Sequence, residues 1–455
     1  MNFRKVGVPA LLVFAAITLN SCTEESVIDD TISPAQSELD IELEQAILTA
    51  SGGVGKSFYQ LPTSLGQIPQ DPKNPLTAAK VELGKLLYHE TALATNPNME
   101  EGRFTYSCAS CHHVDGGFQA CLPQGISEGG VGFGLHGEGR YKNVAYPVEE
   151  IDVQPIRTPS ALNIAYQTNV LWNGQFGGTH LNQGTESQWQ AETPKVWNEL
   201  GYEGTETQAI AGMLVHRLGM TESLFDNSEY KDLFYAAFGQ VGDDTLRSNV
   251  YVGLAIAAYE RTLLASEAPF QKWLKGESGA LSTKEKTGAV LFFGKAECYK
   301  CHNGPALANM DFYALGMNDL SGPGVYLANG VDYGTQIGRG GFTGNAQDNY
   351  KFKVPQLYNL IQSRFYGHGG NFHSVEAVVE YKNKAVAQNT NVPAAQLSED
   401  FHPLNLNADE VEAISAFIEY GLYDRNLQRY VPSAIPSGNC FPNGDTRSMN
   451  DIGCQ

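Results

Sequence analysis

The chain has 455 residues, 42% of them hydrophobic and 10% aromatic, which is enough for two or three domains with real cores and rules out a disordered or fibrous protein. A formal net charge of −20 argues against nucleic acid as a partner, since phosphate would be repelled; it suits a basic soluble redox protein and equally a merely solubilising surface. The 48 glycines favour long ordered loops over a compact helical bundle.

At the N-terminus, Arg4 and Lys5 precede an apolar run over residues 6–19, too short to remain as a membrane span. It ends in Leu19-Asn20-Ser21-Cys22, which resembles a bacterial lipobox. The expectation is a signal peptide over 1–21, a lipidated Cys22 anchored to a bacterial membrane, and a periplasmic location. The acidic stretch that follows, with Glu24, Glu25, Asp29 and Asp30 among its charges, reads as a structureless tether over 22–55.

Apolar residues at helical spacing over 79–88 predict a helix, and the same wording recurs over 282–293 with Ser282 or Thr283 as N-cap. Each helix precedes a Cys-x-x-Cys-His box: Cys108-Ala109-Ser110-Cys111-His112 and Cys298-Tyr299-Lys300-Cys301-His302. The spacing has a chemical reason. Each thiol adds across one vinyl group of a haem, and the adjacent imidazole, His112 or His302, then lies beneath the iron. Eight Cys and ten His make even one chance match improbable, and a split zinc site or a thioredoxin-like motif would not need the His. The repeat implies a mainly α fold: two tandem cytochrome c-like domains with long Gly-rich loops. Their expected bounds are 56–275, with a helical linker, and 276–430.

In the linker, residues 205–218 and 246–264 carry apolar stripes of helical period. Gly-rich stretches over 125–139 and 316–344 read as irregular walls around haem edges or as ordinary Ω-loops. A last amphipathic helix is expected over 409–420. Of the cysteines not yet assigned, Cys440 and Cys454 flank a Pro/Gly/Asn-rich tail, 431–455, and would close a disulfide loop in an oxidising compartment. Cys121 is left over and is given no function.

From about residue 75 to 425 the chain resembles bacterial di-haem cytochrome c peroxidases, including the MauG-like subgroup. The resemblance rests on Leu83-Gly84-Lys85-Leu86-Leu87-Tyr88, both haem boxes, Pro155-Ile156-Arg157-Thr158-Pro159, Leu171-Trp172-Asn173-Gly174, Tyr259-Glu260-Arg261-Thr262-Leu263-Leu264, Phe352-Lys353-Val354-Pro355 and Gly367-His368-Gly369-Gly370. It implies that the first haem meets peroxide and that the second takes electrons from a small donor, a cytochrome c or a cupredoxin. Hydrogen peroxide would then be reduced to water. Two further readings stay open: MauG-like oxidation of a protein or organic substrate through a high-valent di-haem state, and a non-catalytic haem electron carrier.

The resemblance also carries roles onto residues. Trp172 falls where the family has a tryptophan between the haems, as an electron relay or as core packing. Gln208 matches a distal glutamine. The family's distal glutamate falls on Gly219, so His216 is the preferred proton shuttle, with Glu222 nearby as another candidate and a core histidine as the plainer reading of His216. His136, in a Gly-flanked loop, falls near a removable distal ligand or is simply a surface residue. The sixth ligand of the second haem, Met or Tyr in the family, falls on Lys382, with Tyr381 one residue earlier; Tyr381 is preferred, ahead of Lys382, Met310 and Met317. Arg157 stands where an interhaem calcium ligand would be, and a guanidinium cannot coordinate a cation, which argues against calcium; it fills that site itself or clasps a haem propionate.

Overall fold

The computed structural model describes residues 34–454, apart from the side chains of residues 34–37 and Ser228. The expected signal peptide, Cys22 and the start of the tether lie outside the described residues. Helix dominates, with 43% of residues helical and 4% in strands, and the sheet contribution is two two-stranded ladders and a few isolated bridges. The longer helices are α1 (Pro34–Ala50), α2 (Ala78–His89), α3 (Gly204–Val215), α4 (Ser228–Phe238), α5 (Asn249–Glu260), α6 (Pro269–Leu274), α7 (Thr283–Phe293), α8 (Val375–Lys384), α9 (Ala408–Ala416) and α10 (Thr446–Ile452). Strand β1 (Gly130–Val131) pairs antiparallel with β2 (Tyr141–Lys142), and β3 (Phe312–Tyr313) with β4 (Phe352–Lys353). No helix among the described residues is long and apolar enough to cross a membrane.

The internal repeat is physical. Helix α2 begins where the Thr77 hydroxyl accepts from Lys80 N, and α7 where Ser282 and Glu285 form a reciprocal capping box. Each helix then crosses a later one, α2 on α5 and α7 on α9, at its glycine. A Cβ on Gly84 would lie 1.9 Å from the Ala255 carbonyl oxygen, and one on Gly288 1.9 Å from that of Ala413. No side chain fits either crossing. Gly84→Ala or Gly288→Ala is therefore expected to destabilise the fold by about 1–3 kcal/mol or more, read as a lower urea midpoint, whereas Gly66→Ala, in open space and without a left-handed φ, serves as the control for packing.

The expectation for 205–218 and 246–264 holds with trimmed ends. Helix α3 stops at Val215 because Arg217 takes a left-handed φ of 57° that turns the chain. Helix α9 runs on into a π-helical turn, Phe417–Gly421. One expectation is corrected: the acidic stretch is not structureless over 34–50. Leu43 and Ile47, one turn apart, are fully buried, and Asp40 accepts from Trp273 Nε1 at 2.7 Å and pairs with buried Lys286 at 2.6 Å. Burying each apolar side chain is worth about 1.5–3 kcal/mol, enough to hold an acidic helix on α7.

The C-terminal tail makes the opposite crossing. Cys440 and Cys454 form the expected disulfide. Ser107 Oγ, just before the first haem box, and Ser110 Oγ, inside it, both donate to the Pro442 carbonyl at 3.0 Å, and buried Arg140 meets Asp445 at 3.4 Å. The N-terminal helix thus packs on the second half and the tail on the first. The main hydrophobic core, where Phe270 stacks on Phe293 and meets Phe417 edge-on, runs through both.

Candidate active site

One continuous cavity is lined by both haem boxes. Each box is a single 3-10 turn after which the His amide bonds back to the first Cys: His112 N to Cys108 O at 3.1 Å, His302 N to Cys298 O at 2.9 Å. His112 Nδ1 donates to the Phe118 carbonyl at 3.2 Å and His302 Nδ1 to that of Leu307 at 3.0 Å. A carbonyl only accepts, so each ring keeps a bare Nε2 for the cavity. Burial pushes both imidazoles down to about 4 and the Cys111 and Cys298 thiols up to about 12. All four thiols are free, in two pairs. Neutral imidazole beside paired thiols is the donor set that covalent haem requires.

At the first haem end, α3 presents Gln208 and His216 on one face. Gln208 Nε2 and His216 Cδ2 lie 3.7 and 3.8 Å from where a Cβ on Gly212 would stand. The Gln208 amide makes no hydrogen bond to protein among the described residues. His216 Nδ1 bonds Asp152 Oδ2 at 2.7 Å, and Ser127 Oγ donates to the same oxygen. Asp152 is fixed by backbone as well: Ser127 N donates to its carbonyl at 3.1 Å and its own N to Glu128 O at 3.0 Å. Burial alone would lower the His216 pKa, but the charge and hydrogen bond of Asp152 outweigh it and raise it. Burial acts to raise Asp152, and His216, Ser127 and Arg217 together hold it below the usual carboxylate range. Glu222, the other candidate, points away, its side chain 78% exposed and facing Arg247.

Between the boxes, Trp172 Nε1 donates to the Arg157 carbonyl at 2.8 Å, while its own carbonyl accepts from Lys353 N at 2.7 Å. The indole stands edge-on to His368 with centroids 6.3 Å apart, and His368 stacks on Phe352 at 3.7 Å. Two buried cations lie here without a carboxylate. Arg157 bonds only neutral acceptors, among them Gln119 Oε1 at 2.6 Å and Ser363 Oγ at 2.7 Å, and its Nε has no partner. Lys353 Nζ bonds Gln167 Oε1 at 2.6 Å. Burial lowers them to about 10 and about 7. Buried cations without counter-charge call for an anion. Haem propionates would supply it, so these residues fit the group.

At the second end, Tyr381 and Lys382 both reach the cavity, and the geometry separates them. Tyr381 Oη donates to the Leu315 carbonyl at 2.5 Å, its ring sits between Phe372 and Phe401, and burial pushes the phenol up to about 12. Lys382 shares the cavity-facing stripe of α8 with Val375, Val378 and Val379. Met317 lines the cavity; Met310 does not.

His136 is not brought to the cavity. Glu138 accepts from His136 N at 2.7 Å and Leu135 N at 3.2 Å and turns the loop outward, leaving the His136 side chain 61% exposed and 3.8 Å from Asp115. The buried ring beneath that loop is His113, packed under Gly137. Sequence reading missed Asp152, Ser127 and the carboxyl of Glu260. None carries a local signal, because each gains its role only from partners brought close by folding.

Glu260 lines the cavity with one carboxyl oxygen unpartnered, and burial first, then the charge of Glu206, pushes it up to about 8. Its neutral form is the folded one. The stability it contributes is full below its unfolded value of 4.5 and is lost as pH rises through 8. Urea midpoints measured from pH 5 to 9 are expected to fall more steeply for the wild type than for Glu260→Gln.

Fold and site together define a two-domain c-type cytochrome with an attachment box in each half and one shared cavity. A family profile described as di-haem cytochrome c peroxidase matches residues 78–279. The methylamine utilization protein MauG of Methylorubrum extorquens is 28% identical over 366 residues, 80% of this chain and 83% of that protein. The cytochrome-c peroxidase IdrP1 of a Pseudomonas species is 28% identical over 383 residues, covering 78% of this chain and 84% of that one. Among solved structures, a MauG-like protein associated with microbial copper homeostasis superposes with a TM-score of 0.54 at 22% identity, over 81% of this chain and 96% of that one, which shows a shared fold. The chain is thus similar to di-haem cytochrome c peroxidases over most of its length and is an oxidoreductase. That family implies two c-type haems.

Proposed function

We propose that the protein reduces hydrogen peroxide to two waters, using two protons and two electrons from a small periplasmic donor. The observation that carries this reading is His216, an imidazole oriented by Asp152 on the cavity wall above the first haem box. Haem at His112 would supply the iron that binds peroxide and exchanges electrons. His216 Nε2 would be placed to take a proton from peroxide held there and to return it to the departing oxygen, which leaves as water. Gln208 donates a hydrogen bond to the same oxygens. Trp172, tied to Arg157 on one side and Lys353 on the other, passes electrons from the His302 side. Arg157, whose guanidinium cannot coordinate a cation, stands where the family has an interhaem calcium ligand, which argues against calcium.

The anchored, exported lipoprotein expected from Cys22 places this chemistry on the periplasmic face. Stopped-flow mixing of the fully haem-loaded, prereduced protein with peroxide and reduced cytochrome c tests the reading. Donor oxidation in proportion to peroxide is expected, and absence of turnover rejects it. The MauG-like reading, oxidation of a protein or organic substrate, is favoured by one observation: the cavity-facing stripe of α8 carries an amine where a thioether would serve a simple donor haem.

A further inference from the structure

We propose that Lys382 is the sixth ligand of the second haem iron, opposite His302. Helix α8 carries Val375, Val378, Val379 and Lys382 along one face, and all four line the cavity that His302 enters. Three of the four are apolar, so the amine is the one donor atom that this face offers an iron. It lies within electrostatic reach of Cys298, Cys301 and His302.

The neighbours are otherwise engaged. The Tyr381 hydroxyl is spent on the Leu315 carbonyl, and its ring is wedged between two others. The Met317 sulfur is packed 3.2 Å from where a Cβ on Gly367 would stand. Lys382 Nζ donates to the main-chain carbonyl of Asp400 and sits 5.8 Å from the Phe401 ring; Asp400 and Glu297 act on it at longer range, and among the described residues no direct ion pair holds it. Lys286, fully buried, shows the ordinary solution, a direct ion pair with Asp40. An ammonium against an apolar wall without a direct ion pair is unfavourable. As an iron-bound amine it carries no such cost.

The step balances simply. The ammonium releases one proton to water, its lone pair forms the nitrogen–iron bond, the contact with Asp400 breaks, and no electron moves. Imidazole and amine together favour ferric iron more than imidazole and thioether do, so the second haem becomes a low-potential, six-coordinate centre. This rests on haem attachment at Cys298 and Cys301 and not on peroxide as substrate, so its failure leaves the proposed reaction standing.

The test uses the two-haem holoprotein, with haem content per chain verified for each variant. Electron paramagnetic resonance and near-infrared magnetic circular dichroism of the ferric protein should give, for the second haem, a low-spin nitrogen–nitrogen signature without a thioether band. Lys382→Ala should convert that signal alone to high spin. Lys382→Arg should do the same, because a guanidinium keeps the charge and the bond to Asp400 but has no lone pair to give. Lys382→Met should restore six-coordination with a thioether band and a higher potential. A low-spin signal unchanged in Lys382→Ala and Lys382→Arg overturns the proposal. So does a wild-type thioether band lost in Met317→Leu, or a phenolate band lost in Tyr381→Phe.

Discussion

His216→Gln is expected to lower kcat/KM for hydrogen peroxide by about two to four orders of magnitude, the usual worth of a positioned proton shuttle. The side chain retains bulk and a hydrogen bond but cannot accept a proton. Asp152→Asn tests the same device from behind. With Nδ1 held by Asp152 at 2.7 Å, the lone pair on Nε2 faces the cavity; an amide there no longer enforces that tautomer. The pH profile separates orientation from simple disruption. Asp152 raises the His216 pKa, and the base must be neutral to act, so the rate falls as pH drops through that value. Removing the carboxylate lowers the pKa and should move the acid limb to lower pH while the plateau also drops. An acid limb that stays in place with the plateau lowered would mean that Asp152 merely supports the loop.

The largest stability effect is expected at Arg261, whose guanidinium is fully buried. Its Nε and Nη2 reach both oxygens of Glu206, at 2.7 and 2.5 Å, and Nη2 also bonds Glu203 at 2.9 Å. The cluster joins the end of α5 to the start of α3, the helix that carries Gln208 and His216. Glu206→Ala leaves a buried cation half compensated and should cost about 3–5 kcal/mol, read from denaturant unfolding of the holoprotein. Replacing both partners, Arg261→Met with Glu206→Leu, should recover much of that loss, since no charge then needs burying. Equal loss in single and double variants would contradict this.

Attachment chemistry was legible because it is local: two thiols and an imidazole must sit at fixed spacing to meet one porphyrin. The helix starts at Ser282 and the Cys440–Cys454 pairing were legible for the same reason. Residues whose meaning depends on distant partners were not. The acidic run reads as a tether until Trp273 and Lys286 are seen around Asp40. Asp152 is one acid in an acidic loop until α3 brings His216 to it. His136, placed by a loop that register alone could not trace, ends on the surface, and the engagement of the Tyr381 hydroxyl by Leu315 shows only when the direction of α8 is known.

The most direct measurement mixes the fully reduced two-haem protein, without donor, with one equivalent of hydrogen peroxide per chain and follows both haem spectra by stopped flow. Two ferrous centres sharing one cavity through Trp172 should both become ferric in a single turnover, with the two electrons matched by two waters. Oxidation of one centre alone, or a second haem that responds only to further peroxide, would contradict the linkage of the two sites.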